Sequence, residues 1–143
     1  MSWIAILAYV PIATFLLFLI VGGVRGAPFV LTDSRTVKTM TVLAGIQPGE
    51  KAAGLGSGDG RLVIAMARAG AEAHGYEINP FLVLWSRYRI RRAGLSRRAF
   101  VHWKDFWMVD LASFKVVTVF GMFHIMGRLE RKLRSELRPG SRV

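Results

Sequence analysis

The sequence predicts an α/β domain on a parallel sheet, preceded by a membrane-spanning helix. Three observations carry this expectation: an uncharged apolar run over residues 3–24, an alternation of short apolar strands with helices after residue 50, and glycines crowded into residues 54–60, at the first strand-to-helix junction. With 143 residues there is room for one domain, and the 52% hydrophobic content is concentrated at the N-terminus.

The first element is the run WIAILAYVPIATFLLFLIVGGV, residues 3–24. About 20 apolar residues in a helix cross the roughly 30 Å of a bilayer's hydrocarbon core, so this stretch reads as a transmembrane span. Pro11 is tolerated in such a helix, and Trp3 lies where an interfacial aromatic would sit. The competing reading, a cleaved secretory signal, lacks a basic leading region and a small-residue cleavage site, and the apolar stretch is too long for it. Arg25, Arg35 and Lys38 follow the span and no lysine or arginine precedes it. The expected localisation is therefore single-pass in a membrane, with the C-terminal part in the cytoplasm or the equivalent compartment of an organelle. Cysteine is absent, which removes disulfides and thiolate metal sites, and no metal is expected.

Residues 25–49 read as a linker and leading helix. GAPFVLTDS is turn-rich, and TDSRTVKTMTVLAG forms a short helix with Val37, Met40, Leu43 and Ala44 on its apolar side. The domain proper is expected over residues 50–143. KAAGLG is a short strand and GRLVIAMARAG a helix closed by Gly70; EAHGYEI is a second strand. Asn79 and Pro80 suit the cap and first position of the helix FLVLWSRYRIRRA, which Gly94 ends. AFVHWKDFW is a third strand and VVTVFGMF a fourth, apolar as a strand covered on both faces should be. Residues 125–137 form an amphipathic helix with Ile125, Leu129, Leu133 and Leu137 in one stripe. Such an alternation implies parallel strands joined by right-handed crossovers. RPGSRV turns into what reads as a fifth strand, so the sheet is expected to be truncated within strand five, with an apolar edge beside strand four.

The formal charge is +11, carried by SRYRIRRAGLSRR and GRLERKLRSELRPG among others. For a tethered domain, anionic lipid headgroups are the simplest partner, at about 1 kcal/mol per basic residue near the surface. A nucleic-acid footprint is the alternative, here without an aromatic RNA-binding motif or zinc module, and solvated helix faces account for part of both clusters.

The chemistry is concentrated in Gly54, Gly56, Ser57, Gly58, Asp59 and Gly60, at the carboxyl end of the first strand, where open α/β sheets bind ligands. Glycines there let backbone approach a ligand closely, and the following helix offers unpaired N–H groups. By itself the run is equally a glycine-rich turn without a ligand. The G-x-G-x-x-G dinucleotide fingerprint does not fit, because its third glycine would fall on Asp59 or Arg61, and no G-K-[ST] follows for a P-loop. Glu77, at the end of the second strand in GYEINP, sets a carboxylate beside the loop that can accept both hydroxyls of a ribose. Asp105, after the third strand, lies near the same crevice and suits an adenine amino group, with Phe106 or Trp107 flanking it; a surface acid and core aromatics are the plain alternatives.

On GSGDGR followed by GYEINP, the part of the chain after the span resembles class I S-adenosylmethionine-dependent methyltransferases, with their Rossmann-like sheet. More narrowly, it is similar to the small membrane-anchored group that includes the ATP synthase c-subunit lysine methyltransferases. The resemblance implies S-adenosyl-L-methionine as cofactor, its methionine part on the glycine loop, its ribose on Glu77 and its adenine near Asp105. It also implies a lysine on a membrane-associated protein as the methyl acceptor. Gly54 stands where family members carry an acid that helps hold the cofactor's amino group, and Phe120, Gly121, Met122 and Phe123 replace a tyrosine-leucine-leucine-proline type segment. The missing acid keeps open a non-catalytic anchored cofactor-binding domain, alongside methylation of RNA or of a small lipophilic molecule. Methyl transfer is an in-line displacement that needs alignment more than a dedicated base. His124 is placed to accept a proton but equally fits a structural role, and the N-P-P-Y segment of adenine N6-methylation is absent.

Overall fold

Helix boundaries in the computed structural model, which describes residues 3–25 and 31–143, follow the capping signals in the sequence. Helix α1 (Trp3–Arg25) is long and apolar enough to cross a membrane, and Gly22 is the one buried residue among those described in it. Part of the linker, residues 26–30, lies outside the described residues. Helix α2 (Ser34–Leu43) starts where Asp33 accepts the backbone N–H groups of Arg35 and Thr36 at 2.8 and 3.0 Å. Val37 is its buried residue. Leu43, expected on the apolar side, is 79% exposed: α2 packs through one narrow stripe onto the next helix, and Leu43 lies off it.

Strands β1 (Lys51–Leu55), β2 (Glu72–Glu77), β3 (Ala99–Trp103) and β4 (Val116–Val119) form one parallel sheet in the order β3-β2-β1-β4. The chain winds outward from β1 to β3 and then crosses back to β4, so the order reverses beside β1, where open sheets leave a crevice. Helix α3 (Arg61–Arg68) connects β1 to β2, and helix α4 (Pro80–Arg92) connects β2 to β3. Asn79 caps α4 by accepting the Phe81 N–H at 3.0 Å, and Pro80 at the first position needs no donor partner. Helix α5 (Met126–Glu136) covers the other face through Leu129.

Two apolar layers sandwich the sheet. Val63, Met66, Val83 and Ile90 from α3 and α4 pack on Ala52, Ala73, Val101 and Val116. Leu111, Phe114 and Leu129 pack on Ala53, Leu55 and Val117. The short alanine and valine side chains of the strands let helix backbones approach closely, and burial on both faces explains the near-continuous apolar reading of β4.

Two strands are shorter than the sequence suggests. The third stops at Trp103, because Asp105 accepts the Trp107 N–H and caps a 3-10 turn over Phe106–Met108. The fourth stops at Val119; Phe123–Ile125 is again a 3-10 turn that leads into α5. Beside β4, the expected fifth strand is represented by a single parallel bridge between Val116 and Arg142. The Arg142 guanidinium is tied to Glu50 and to the Ala44 carbonyl, closing the last residues against the start of the domain.

Candidate cofactor site

The loop after β1 is held from both sides. Gly56 and Ser57 N–H both donate to the Tyr76 carbonyl at 3.0 Å, and Gly60 N–H donates to the Ser57 carbonyl at 3.0 Å. Gly60, with φ 79°, opens α3 in the left-handed region, and a β-carbon there would come within 2.9 Å of Ser86. From α4, Ser86 Oγ donates to the Gly58 carbonyl at 2.9 Å. The loop is thereby fixed as a backbone cradle at the crevice beside β1.

Glu77 closes the cradle. Its carboxylate accepts Gly58 N–H at 2.8 Å on Oε2 and Asn79 N–H at 2.9 Å on Oε1. Only 8% of the residue is exposed. Burial raises the Glu77 carboxyl above its ordinary value, and the backbone donors of Asn79, Gly58 and Ile78 offset this in part. Each oxygen keeps a lone pair for a further donor, as a pair of ribose hydroxyls requires. Ser57 Oγ and Asn79 Nδ2, in the loop and two residues beyond Glu77, are buried and have no hydrogen-bond partner among the described residues.

Of the other residues expected from the sequence, Gly54 is buried in β1, paired with Gly75 and Thr118. Gly54, Gly56, Ser57, Gly58 and Asp59 line one cleft with Thr32, Met40, Thr118 and Phe120. The Asp59 carboxylate is turned to two guanidiniums, Arg61 at 2.7 Å and Arg89 at 2.6 Å. It ties the loop to α3 and α4. Burial works to raise the Asp59 carboxyl, but its bonds to Arg61 and the charge of Arg89 leave it below its ordinary value of 3.8. Asp59→Ala would leave both arginines unmatched; since each is about a third exposed, we expect a loss of about 2 kcal/mol rather than the larger cost of a fully buried pair. The folded-state carboxyl being depressed, this stability is present above pH 3.8 and lost as pH falls below it, which acid denaturation of the two forms measures.

Asp105 and Glu77 share a small crevice with Gly56, Ile78 and Phe106. Phe106 is buried there, and the Trp107 ring stacks obliquely on it at 4.8 Å with the Arg128 guanidinium 4.1 Å from its centre. Nothing in the sequence signals that the end of α1 lines this crevice. Gly22 and Arg25 do so, Arg25 pairs with Asp105, and the Val24 carbonyl lies 3.3 Å from His124 Nε2. Thr118 is a further cleft residue beyond those the sequence pointed to; its signal is that it is the lone polar residue of β4.

Comparison with known proteins agrees with this geometry. The model of the ANTKMT methyltransferase domain matches residues 54–143. The ATP synthase c-subunit lysine N-methyltransferase of Rattus norvegicus is 44% identical over 116 residues, covering 81% of this chain and 53% of the relative. The chain thus spans about half the length of the first curated relatives it matches. A protein-lysine N-methyltransferase of Saccharolobus islandicus is 33% identical over 118 residues, 81% of this chain and 73% of the relative. Among solved structures, an RNA methyltransferase from Salinibacter ruber in complex with S-adenosyl-L-homocysteine superposes with a TM-score of 0.76 at 34% identity, covering 78% of this chain and 74% of that one. With the glycine cradle, the buried acid and the β3-β2-β1-β4 sheet all in place, the chain belongs to the ANTKMT methyltransferase domain family.

Proposed function

We propose that the chain binds S-adenosyl-L-methionine in this crevice and methylates a lysine of a membrane-associated protein. The observation that carries the reading is the coupling of Glu77 to the loop through Gly58 N–H, which keeps a buried carboxylate beside a backbone cradle. The two orphaned polar atoms, Ser57 Oγ and Asn79 Nδ2, fit a site built for a polar ligand. When bound, S-adenosylmethionine supplies a methyl group on a sulfonium for in-line displacement by a neutral amine. Glu77 would hold the ribose and the loop backbone the methionine part; Asp105, bordering the same crevice, would face the adenine. Thr118 and Phe120, on the β4 side of the cleft, would border the acceptor's path. Excluding water there strengthens each polar contact, and alignment is the protein's main contribution.

A lysine acceptor is favoured by the curated relatives, which are named as lysine N-methyltransferases. A membrane-associated one is favoured by α1, since anchoring raises the effective concentration of acceptors in the same bilayer. We place the domain on the cytoplasmic side, or its organellar equivalent, from the basic residues that follow the span. Mass spectrometry of membrane proteins with and without the gene is expected to show loss of methylation at one or a few lysines; an unchanged profile would sink the proposal. RNA as acceptor is the second reading, favoured by the 34% identity to the Salinibacter ruber enzyme. Steeply salt-dependent RNA binding would support it.

Gly54 allows a direct test of how the missing acid limits the site. A β-carbon at Gly54 would lie 3.6 Å from Val63 Cγ2 and 3.7 Å from both Met66 Cε and Thr118 Oγ1, ordinary contact distances. The β-carbon of Gly54→Asp is therefore accommodated, beside Val63 and Thr118 that line the cleft with Gly54. We expect about tenfold tighter cofactor binding, about 1.4 kcal/mol, at a stability cost of about 1–3 kcal/mol for the partly desolvated charge. Calorimetry and thermal melting measure the two effects separately.

A further inference from the structure

Helix α4 carries two faces with different work. Its inner face holds the glycine loop: Ser86 donates to the Gly58 carbonyl and Arg89 pairs with Asp59. Its outer face carries Phe81, Leu84, Trp85 and Tyr88, exposed by 38, 64, 52 and 47%. Spacings of three and four residues put these four side chains in one stripe about 100° wide. Trp85 and Tyr88 stack at 5.5 Å and the Arg92 guanidinium lies 5.9 Å from the Tyr88 ring. Arg87 and Arg91, both exposed, border the stripe.

An amphipathic soluble helix would turn such a stripe inward, but the inward side of α4 is already filled by Leu82, Val83, Ser86 and Ile90. Four large apolar side chains in a row on the outside therefore need a partner. Tryptophan and tyrosine beside arginine are the residues of the membrane–water boundary, where the rings enter the acyl edge and guanidiniums stay with the phosphates. The same chain carries the apolar helix α1, which would hold the domain at a bilayer surface. The excess of positive charge suits an anionic surface.

We infer that the outer face of α4 is an in-plane membrane contact that seats the domain on an anionic bilayer through Leu84, Trp85 and Tyr88. The inference rests on α1 lying in the membrane, and it does not depend on the identity of the methyl acceptor. Because α4 also grips the loop and Asp59, this seating fixes the height of the cofactor crevice above the headgroups.

The chain has no cysteine, so single spin labels can be introduced cleanly at Leu84→Cys, Trp85→Cys and Tyr88→Cys. Full-length protein is reconstituted in vesicles of phosphatidylcholine with phosphatidylglycerol, and collision with oxygen and with a water-soluble nickel chelate is measured. A label at Leu17→Cys reports α1, and one at Glu130→Cys on the opposite face of the sheet reports water. The expected result is an oxygen-to-nickel accessibility ratio several-fold above the Glu130 control at all three α4 sites, at a shallower depth than Leu17. Labels on α4 matching the water control while Leu17 is immersed would overturn the α4 contact alone. Water exposure at Leu17 as well would overturn both it and the span. Stacked rings with arginine can also hold single-stranded RNA. If an RNA oligonucleotide shields the α4 labels while vesicles do not, the stripe is a nucleic-acid platform and the membrane inference is wrong.

Discussion

Glu77→Gln is expected to weaken S-adenosylmethionine binding about a hundredfold, about 2.8 kcal/mol, and to make the stability of the ligand-free fold less dependent on pH. The two effects have one cause. A buried carboxylate that accepts two backbone N–H groups is a strong acceptor for ribose hydroxyls, but its charge is poorly solvated. Its folded-state carboxyl is raised above the ordinary 4.5, so stability linked to this group is complete below that pH and is lost as pH rises through the folded value. The amide removes that pH-dependent cost but turns its NH2 toward one of the two backbone donors, which loses its acceptor. Thermal melting of the two forms at pH 7 and near pH 4 should show the stability of the glutamine form relative to the unaltered one declining as pH falls, and calorimetry should show its affinity loss. Equal affinity in the two forms would remove Glu77 from the site.

A comparably large effect is expected at Gly75. This residue lies opposite Gly54 in β2, directly beneath the loop. A β-carbon there would sit 2.6 Å from Ser57 Oγ, 2.7 Å from Ser57 Cβ and 2.8 Å from Val63 Cγ2, distances that force something to move. Ser57 is held by its N–H on the Tyr76 carbonyl and Val63 is buried in α3, so neither yields freely. Gly75→Ala should cost about 2–3 kcal/mol by overpacking. It should also displace the cradle enough to weaken cofactor binding more than tenfold. Adding Ser57→Gly removes two of the three close atoms, and partial recovery of stability in the double variant is the diagnostic result. Recovery absent, the strain would lie with Val63 and α3 instead of the loop.

Much of this architecture is legible in the sequence because local signals agree with the fold. Asn79-Pro80 and Gly70 mark helix limits, and the alternation of short apolar strands with helices specifies a parallel sheet. The pairing of the glycine loop with Glu77 is legible for the same reason: both lie at carboxyl ends of neighbouring strands, so sequence order alone brings them to one crevice. Strand ends are harder. WKDFW and FGMF have strand-like composition, but Asp105 competes for backbone donors and caps a turn, and after Val119 the chain leaves the sheet for the turn into α5. Leu43 reads as a core residue because periodicity shows which face is apolar and not how much of it is covered. The role of Asp59 is concealed by distance, since Arg89 lies thirty residues away on α4 and only the fold brings it to 2.6 Å. Arg25 reads as a topogenic charge, and nothing in one dimension connects it to Asp105.

Whether the crevice between the glycine loop and Glu77 takes S-adenosylmethionine and not a dinucleotide is decided by calorimetric titration of the full chain in lipid vesicles with S-adenosylmethionine and, separately, with NAD. Saturable one-to-one binding of S-adenosylmethionine is expected, about a hundredfold weaker in Glu77→Gln, with no heat from NAD. Binding of NAD, or no binding of S-adenosylmethionine by folded protein, would overturn the assignment of the site.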